Sequence, residues 1–481
     1  MVHLFIYMRR QAYTYTIVLG VMMALLFPTL FSSCSDDEKF TADKGAVLAF
    51  SQDTIKFDTV LVGVTSPTER FQVYNRNDKG VRISHVRLES GGTSGFKMNV
   101  DGRFGASLDD VEVLKKDSIF VFVEVTVPPQ VENVPTLVED AIIFSLESGI
   151  QQKIILQAQG QNVRVLKAET ITTDRTLDNT LPYLVYDSLV VSPAATLTIE
   201  EGTTLYFHNK VSLLVYGGLE IKGTLEKPVT LRGDRTDKMF PYLPYDRLEN
   251  QWGGISILPT CTRCIINYAD IHSGNYGVMC DSIEGKIQIT NTVIHNVGGY
   301  GLFLKDSEGL VANTQISNSR DECVSIFGGK VDFYHCTLAQ FYPWGSGQGH
   351  ALFVGNYFNE IDHQIEAVNF YNCFVTGYGD DEVYGNAGDL PFNLHFYHCV
   401  LQTDVSDTTY FHACTAESKE FDTYQGSNFK AIDTYNYIYD FHLDSLSVAR
   451  GKGSPEYSKQ YSTDYDGKQR GDAPDVGCYQ Y

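Results

Sequence analysis

Short hydrophobic runs separated by Gly, Pro, Asn and Asp fill residues 46–162. Seven such runs can be distinguished, among them "TIKFDTVLVG", "RFQVYN" and "SIFVFVEVTV". Alternation of apolar and polar residues over a short run is typical of a strand with one buried face. Seven short strands separated by turn residues predict a β-sandwich over 46–162.

A different pattern begins near residue 181. Between residues 267 and 402, six short segments of this region align as "NYADIH", "TNTVIH", "ANTQIS", "YHCTLA", "YNCFVT" and "YHCVLQ". One position is always small and the position two residues later is always aliphatic. Side chains at i and i+2 share a strand face, so both columns are predicted to point inward. The small column is Ala269, Thr292, Thr314, Cys336, Cys373 and Cys399, and the aliphatic column is Ile271, Ile294, Ile316, Leu338, Val375 and Leu401.

The position before the small residue predicts a tight corner between two strands. It is occupied by Tyr, Asn or His, and Asn and His tolerate a left-handed backbone better than most residues. The small residue recurs at 269, 292, 314 and 336, intervals of 23, 22 and 22, which fit one coil of three strands. Stacked coils would lie about 4.8 Å apart. The corner column is Tyr268, Asn291, Asn313, His335, Asn372 and His398.

The two ends of this region carry a family resemblance. The stretch "LVVSPAATLTIEEG" with "QWGGISI" resembles the opening coils of right-handed parallel β-helix proteins of the pectate-lyase-like superfamily, and "TDYDGKQRGDAPDVGCYQY" resembles their closing segment. The seven earlier strands resemble an immunoglobulin-like module. The resemblances imply an all-β protein, with an immunoglobulin-like β-sandwich over 46–162, a linker over 163–180 and a right-handed parallel β-helix over 181–481.

The N-terminal residues have the features of a targeting segment. Arg9 and Arg10 precede an apolar run from Ile17 to Phe31 that is too short for a stable membrane span. The stretch "LFSSCSDDEKF" resembles a bacterial lipobox followed by the surface-export signal of Bacteroidota lipoproteins. The resemblance implies a signal peptide over 1–33, lipidation of Cys34, a tether over 34–45, and anchoring in the outer membrane with display at the cell surface.

The net charge excludes one class of partner, and the number of cysteines limits the disulfides that can form. The chain has 37 Lys and Arg against 59 Asp and Glu, a net charge of −22, which argues against a nucleic-acid partner. Ten cysteines less Cys34 leave nine, so a complete set of disulfides is impossible. Cys261 and Cys264 form either a local disulfide or a pair of packed thiols. The ladder cysteines are interpreted as small core residues, and no metal site is predicted there.

The repeat is interrupted between Cys336 and Cys373, where the interval rises to 37 residues. The excess falls in two enlarged loops, 340–350 and 355–368, on either side of the strand 351–354. Loops carried by a rigid scaffold hold functional residues disproportionately often. We therefore expect a groove at this strand.

Two outward columns are predicted to line the groove. One contains aromatic side chains, and the other places a histidine between carboxylates, where each neighbour would shift its pKa and allow acid or base chemistry. Calcium could bind at the acidic edge, and no other cofactor is predicted. The candidate catalytic residues are Glu322, His350, Asp380, Asp381 and Glu382, and the candidate ligand-binding residues are Tyr342, Trp344, Phe353, Tyr384 and Arg320.

Three functions fit this arrangement. The first is binding of an extracellular glycan or a partner protein in the groove, and the second is a polysaccharide hydrolase or lyase acting there. The third is a structural subunit of an outer-membrane complex. Pectate-lyase-like enzymes use a basic residue, whereas here Arg320 alone adjoins the acids, and "GQGHAL" precedes "GYGDDE" in the reverse of the polygalacturonase-like order. The sequence therefore favours binding over catalysis.

Overall fold

The computed structural model describes residues 39–283, 285–345, 347–417 and 428–481. The expected signal peptide and Cys34 lie outside the described residues. Within those ranges no helix has the length and apolar character needed to span a membrane. The chain divides into two compact units: described residues up to 55 with 68–124 and 139–156, and residues 56–67 with 125–138 and 157–481.

Residues 40–161 form two β-sheets. Burial alternates along Ser118–Val125, as the sequence pattern predicts. Phe71 and Phe144 lie on different sheets and their rings meet edge to face at 6.4 Å, so apolar faces of the two sheets pack together. The first sheet has the order Phe40–Thr41, Gly80–Leu88, Thr136–Leu146, Gln151–Gln161 and Thr54–Leu61, with Ser107–Val113 also paired to Gly80–Leu88; the second has the order Ala49–Phe50, Glu69–Tyr74, Ser118–Val125, Phe96–Val100 and Arg103–Phe104.

Two segments expected to be irregular contain strands. Phe40–Thr41, in the expected tether, pairs in parallel with Gly80–Leu88. In the expected linker 163–180, Arg164–Ile171 and Arg175–Leu177 pair in parallel with the strands that follow them. The physical reason for the two linker strands is that Leu166, Ile171 and Leu177 are buried in the core of the second unit. The parallel sheets therefore begin before residue 181.

Most of the second unit consists of successive coils of three strands, and each strand is paired in parallel with its equivalents in neighbouring coils. We call the three sets columns A, B and C. Long parallel sheets of this kind are consistent with a parallel β-helix.

Column A contains Arg175–Leu177, Thr196–Glu200, Gly218–Lys222, Arg263–Asn267, Lys286–Thr290, Glu308–Ala312, Gly329–Tyr334, Ile365–Tyr371, Phe392–Tyr397 and Phe411–His412. In the first coil, Tyr183–Val191 serves both columns B and C. Column B continues with Thr204–Phe207, Val229–Gly233, Ala269–His272, Val293–Val297, Gln315–Ser319, Thr337–Gln340, Phe374–Gly377, Val400–Leu401 and Thr415–Ala416. Column C continues with Ser212–Val215, Gly254–Ile257, Val278–Asp281, Leu302–Lys305, Val324–Phe327, Leu352–Gly355 and Val383–Asn386.

The other described elements are short. They are a hairpin of Lys238–Phe240 and Leu243–Pro244, a hairpin of Tyr357–Phe358 and Ile361–Asp362, a hairpin of Phe429–Asp433 and Ile438–Leu443, a 3₁₀ turn Tyr245–Arg247 and a helix Pro455–Ser458.

The predicted inward columns are confirmed. The aliphatic residues pair from coil to coil in the expected register, for example Ile294 with Ile316, and the small column is buried throughout. Cys336 and its ladder partners are free thiols, and so are Cys261 and Cys264, which selects packed thiols over a disulfide for that pair. The ladder cysteines therefore act as core residues.

The predicted corner is confirmed as well. All six residues of the corner column have positive φ angles, from 46° to 53°. Four of these six side chains also form hydrogen bonds to residues 454–465, which run along the corner in the reverse direction. The contacts are Asn372 Nδ2 to Ser454 O at 2.9 Å, His335 Nε2 with Ser458 Oγ at 2.9 Å, Asn313 Nδ2 to Thr463 O at 2.9 Å and Tyr268 Oη to Tyr465 O at 3.3 Å.

Candidate functional site

The outward face of column C has the register that the sequence predicts. Leu302, Val324 and Leu352 pair in order and point into the core. Phe303, Ser325, Phe353 and Tyr384 therefore follow one another on the outer face of successive coils.

Aromatic side chains cover much of this outer face. Phe327 is in contact with Phe303, Phe353 and Phe358, at ring-centroid distances of 5.7, 5.5 and 4.3 Å. Phe358 comes from the hairpin that occupies the enlarged loop 355–368, so that loop covers part of the aromatic surface. Phe353 stays partly exposed, and the next aromatic residue along the column, Tyr384, is 45% exposed. An apolar surface with open aromatic edges remains.

His350 extends this surface. Its ring stacks on that of Tyr384, with centroids 3.8 Å apart and an interplanar angle of 13°. Its carbonyl accepts the N–H of Cys323, which places His350 one coil after Glu322 in the column that the sequence predicts. Glu322 and His350 are thus neighbours on successive coils.

The surroundings of Glu322 at this face change the pKa of its carboxyl group. Burial raises the pKa of Glu322 above its ordinary value, and the nearby Asp321 raises it further, although His350 acts in the opposite direction. Ser325 Oγ lies 3.4 Å from Glu322 Oε2. A carboxyl group that keeps its proton to higher pH can donate a hydrogen bond or a proton to a ligand.

The other candidate acids lie in different surroundings. Glu382 is 1% exposed, and its carboxylate accepts the N–H groups of Gly379 at 2.5 Å and of Ala351 at 2.8 Å. Asp381 accepts the N–H of Val383 at 3.1 Å, and Asp380 is exposed. Glu382 is therefore buried and held by backbone donors, so its carboxylate is not presented on the outer face of column C.

The aromatic residues of loop 340–350 make contacts within the chain. Tyr342 is 7% exposed and its hydroxyl donates to Glu249 Oε1 at 2.9 Å. Trp344 stacks on Tyr437 with ring centroids 4.2 Å apart. Arg320 is exposed. The structure thus brings Glu322, His350, Phe353 and Tyr384 together, while Tyr342 and Trp344 pack against other segments.

A second group of polar residues could hold a metal ion. Among the described residues, Asp270, His272 and His295 place one ligand atom each within 4.8 Å of one another; the acidic edge of column C forms no such group. Burial lowers the pKa of His272 to about 4. Burial alone would raise the pKa of Asp270, but the two histidines and Arg232 hold it at about 2.

Sequence reasoning missed this group although its signal is present. The aligned segments "NYADIH" and "TNTVIH" both end in histidine, at positions that pair directly in the structure. The periodicity of the repeat predicts the inward columns, whereas a histidine at an outward position of a strand is also common on an ordinary polar surface.

Comparisons with known proteins give little further guidance. No protein-family model matches the chain, and no curated protein matches it. Among solved structures, a family 123 glycoside hydrolase from Clostridium perfringens, described in a study of glycolipid glycan hydrolysis, matches 26% of this chain and 26% of its own, with 12% identity and a TM-score of 0.19. The chain thus spans about a quarter of that hydrolase's length, and a likeness of this extent carries no argument.

Proposed function

We propose that this chain is a surface lipoprotein anchored in the outer membrane through Cys34. The segment "LFSSCSDDEKF" supports this proposal. We further propose that residues 46–162 are an immunoglobulin-like sandwich and that the coils form a right-handed parallel β-helix. The sandwich would then act as a spacer between the membrane and the coils.

We propose that the outer face of column C binds an extracellular glycan. The observation that carries the proposal is the aromatic surface with Phe353 and Tyr384 at its open end, beside His350 and Glu322. Flat rings offer apolar area to the faces of sugar rings, and the adjacent carboxyl and imidazole groups supply hydrogen bonds. Loops 340–350 and 355–368 border the face.

The proposal predicts that the purified chain binds to a polysaccharide on a glycan array and releases no product from it. Tyr384→Ala and Phe353→Ala should each weaken binding roughly five- to thirtyfold, because a partly exposed ring contributes about 1–2 kcal/mol when a ligand covers it. Isothermal titration with the retained glycan gives the affinities.

Tyr216→Ala is the matched control, because Tyr216 is 38% exposed and lies several coils away. Its affinity should equal that of the wild-type chain. Absence of retention on the array, together with co-purification of an outer-membrane protein, would instead favour a structural subunit or a protein partner. Equal losses in Tyr216→Ala and Tyr384→Ala would argue against a site at column C.

The raised pKa of Glu322 favours one alternative, a glycan-cleaving enzyme with Glu322 as the acid. In that case mass spectrometry of the array wells should detect product, and Glu322→Gln should abolish release while retaining the glycan. The rate should fall as the pH rises through the raised pKa, because the acid must be protonated.

The same substitution has a predictable effect on stability. A carboxyl group whose pKa is raised on folding stabilises the fold below its unfolded pKa, and that contribution is lost as the pH rises through the folded value. Glu322→Gln should therefore melt no lower than wild type at pH 7, which separates lost chemistry from lost folding. A lower melting temperature would contradict the assigned environment of Glu322.

A further inference from the structure

Three potential metal ligands lie together on the outer face of column B. Asp270 and His272 are two positions apart on one strand, so their side chains share a face. His295 lies opposite His272 in the next coil. The two imidazole rings stack with centroids 4.9 Å apart, and His295 Nε2 is 3.1 Å from Asp270 Oδ1. The register of the coils therefore assembles two imidazoles and one carboxylate.

The hydrogen bonds around His272 fix its orientation. The Ser273 hydroxyl donates to the carbonyl of Asp246 at 2.9 Å. A hydroxyl has one proton, so its contact with His272 Nδ1 at 2.9 Å requires the ring to donate there. In the neutral ring Nε2 then carries the lone pair. Metal-binding histidines are held in this way, with the second ring nitrogen donating to a fixed acceptor.

A cavity of about 340 Å³ adjoins the cluster. His295 forms part of its wall, and residues 437–439 and 441 of the C-terminal hairpin also line it. Asn318 also lines it and is 2% exposed, yet its Oδ1 has no hydrogen-bond donor among the described residues. A buried amide oxygen without a donor is uncommon, and a water molecule bound to a metal could supply one.

We propose that Asp270, His272 and His295 bind a divalent transition-metal ion, with Zn²⁺ as the first candidate and a coordination position facing the cavity. Two imidazoles, one carboxylate and an open fourth position match known zinc sites that bind water. Bonds of about 2.0–2.2 Å place tetrahedral ligands about 3.3–3.5 Å apart. The ligand atoms, now within 4.8 Å, need to approach by about an ångström. His295 and Asp270 are partly exposed and can move.

One neighbouring charge opposes a cation. Arg232 follows Leu231, which pairs with Ile271, so it lies beside His272 on the preceding coil. Its guanidinium is bound by the carboxylate of Asp246 and by the carbonyl of Arg235. The charges of Arg232 and Asp246 cancel, so the net charge at the cluster is that of Asp270.

The test is titration of the purified full chain, without a histidine tag, with Zn²⁺ against a chromophoric chelator. The wild-type chain should bind one Zn²⁺ at this site with a Kd of about 1 µM or tighter. His295→Ala and Asp270→Asn should each weaken binding at least tenfold. Ser273→Ala should weaken it about ten- to hundredfold, because it removes the group that orients His272.

His208→Ala is the matched control, because His208 is exposed and its Nδ1 lies 2.7 Å from Asp234 Oδ2 with no third ligand assembled among the described residues. It should bind Zn²⁺ as wild type does, and Zn²⁺ should raise the melting temperature of wild type and of His208→Ala but not of His295→Ala. Circular dichroism confirms that the variants fold. The proposal is overturned if wild type binds no Zn²⁺, or if His295→Ala and Asp270→Asn bind it unchanged.

Discussion

Replacing Arg470 with methionine should lower the free energy of unfolding of the coil-forming unit by about 3–5 kcal/mol. Arg470 is 7% exposed, and burial lowers its pKa to about 10, so it remains charged at neutral pH. Its guanidinium donates to Asn313 Oδ1 at 3.1 Å, Gly477 O at 3.0 Å, and the carbonyls of Cys478 and Asp475 at 3.3 Å. Methionine fills the space but supplies no donor to these buried acceptors, of which the Cys478 carbonyl keeps the N–H of Tyr465 at 3.0 Å.

Urea denaturation followed by circular dichroism measures the effect. Arg450→Met is the control, because Arg450 is an exposed residue of the same C-terminal region whose guanidinium lies over the Tyr481 ring at 3.7 Å. It should cost less than about 1 kcal/mol. Arg470→Lys should fall between the two, since an ammonium group cannot reach all four acceptors. If Arg470→Met were as stable as Arg450→Met, Arg470 would not hold the closing segment in place.

The contacts of Arg470 show where sequence reasoning reaches its limit. The corner column was predictable because a local backbone requirement, a positive φ, selects Asn and His once per coil. That Asn313 also binds Arg470 and Thr463 was not predictable, because these partners are more than a hundred residues away in the chain. Local sterics determine the coil, whereas the closing segment depends on long-range contacts that no short pattern encodes.

The candidate site divides in the same way. The register of Phe353 and Tyr384 followed from the repeat, because paired strands transmit spacing from coil to coil. The side chains of the enlarged loop 340–350 did not follow, because loops have no period that sets side-chain direction. Trp344 therefore stacks on Tyr437 and not on the predicted groove. The register of the repeat also determines that His272 and His295 are neighbours, because they occupy the same outward position in successive coils.

Glu382→Gln should destabilise the unit by about 2–4 kcal/mol, since the buried carboxylate accepts the N–H groups of Gly379 and Ala351 through different oxygens. An amide presents one oxygen and one NH₂ group, so one of these backbone donors would face another donor. Ala351 directly precedes the Leu352–Gly355 strand, and Gly379 lies in the segment between Phe374–Gly377 and Val383–Asn386. Loss of these hydrogen bonds should loosen the segments that lead into the column C strands Leu352–Gly355 and Val383–Asn386.

Hydrogen exchange at Gly379 and Ala351 is the direct measurement, and protection at both should fall at least tenfold in Glu382→Gln, along with a lower melting temperature. Asp381→Asn is the isosteric control, because its carboxylate accepts the nearby N–H of Val383 at 3.1 Å within a local turn. It should change stability by less than about 1 kcal/mol. If Glu382→Gln had wild-type stability and protection, the two backbone hydrogen bonds would not be what holds this side chain, and Glu382 would return to the candidate catalytic residues.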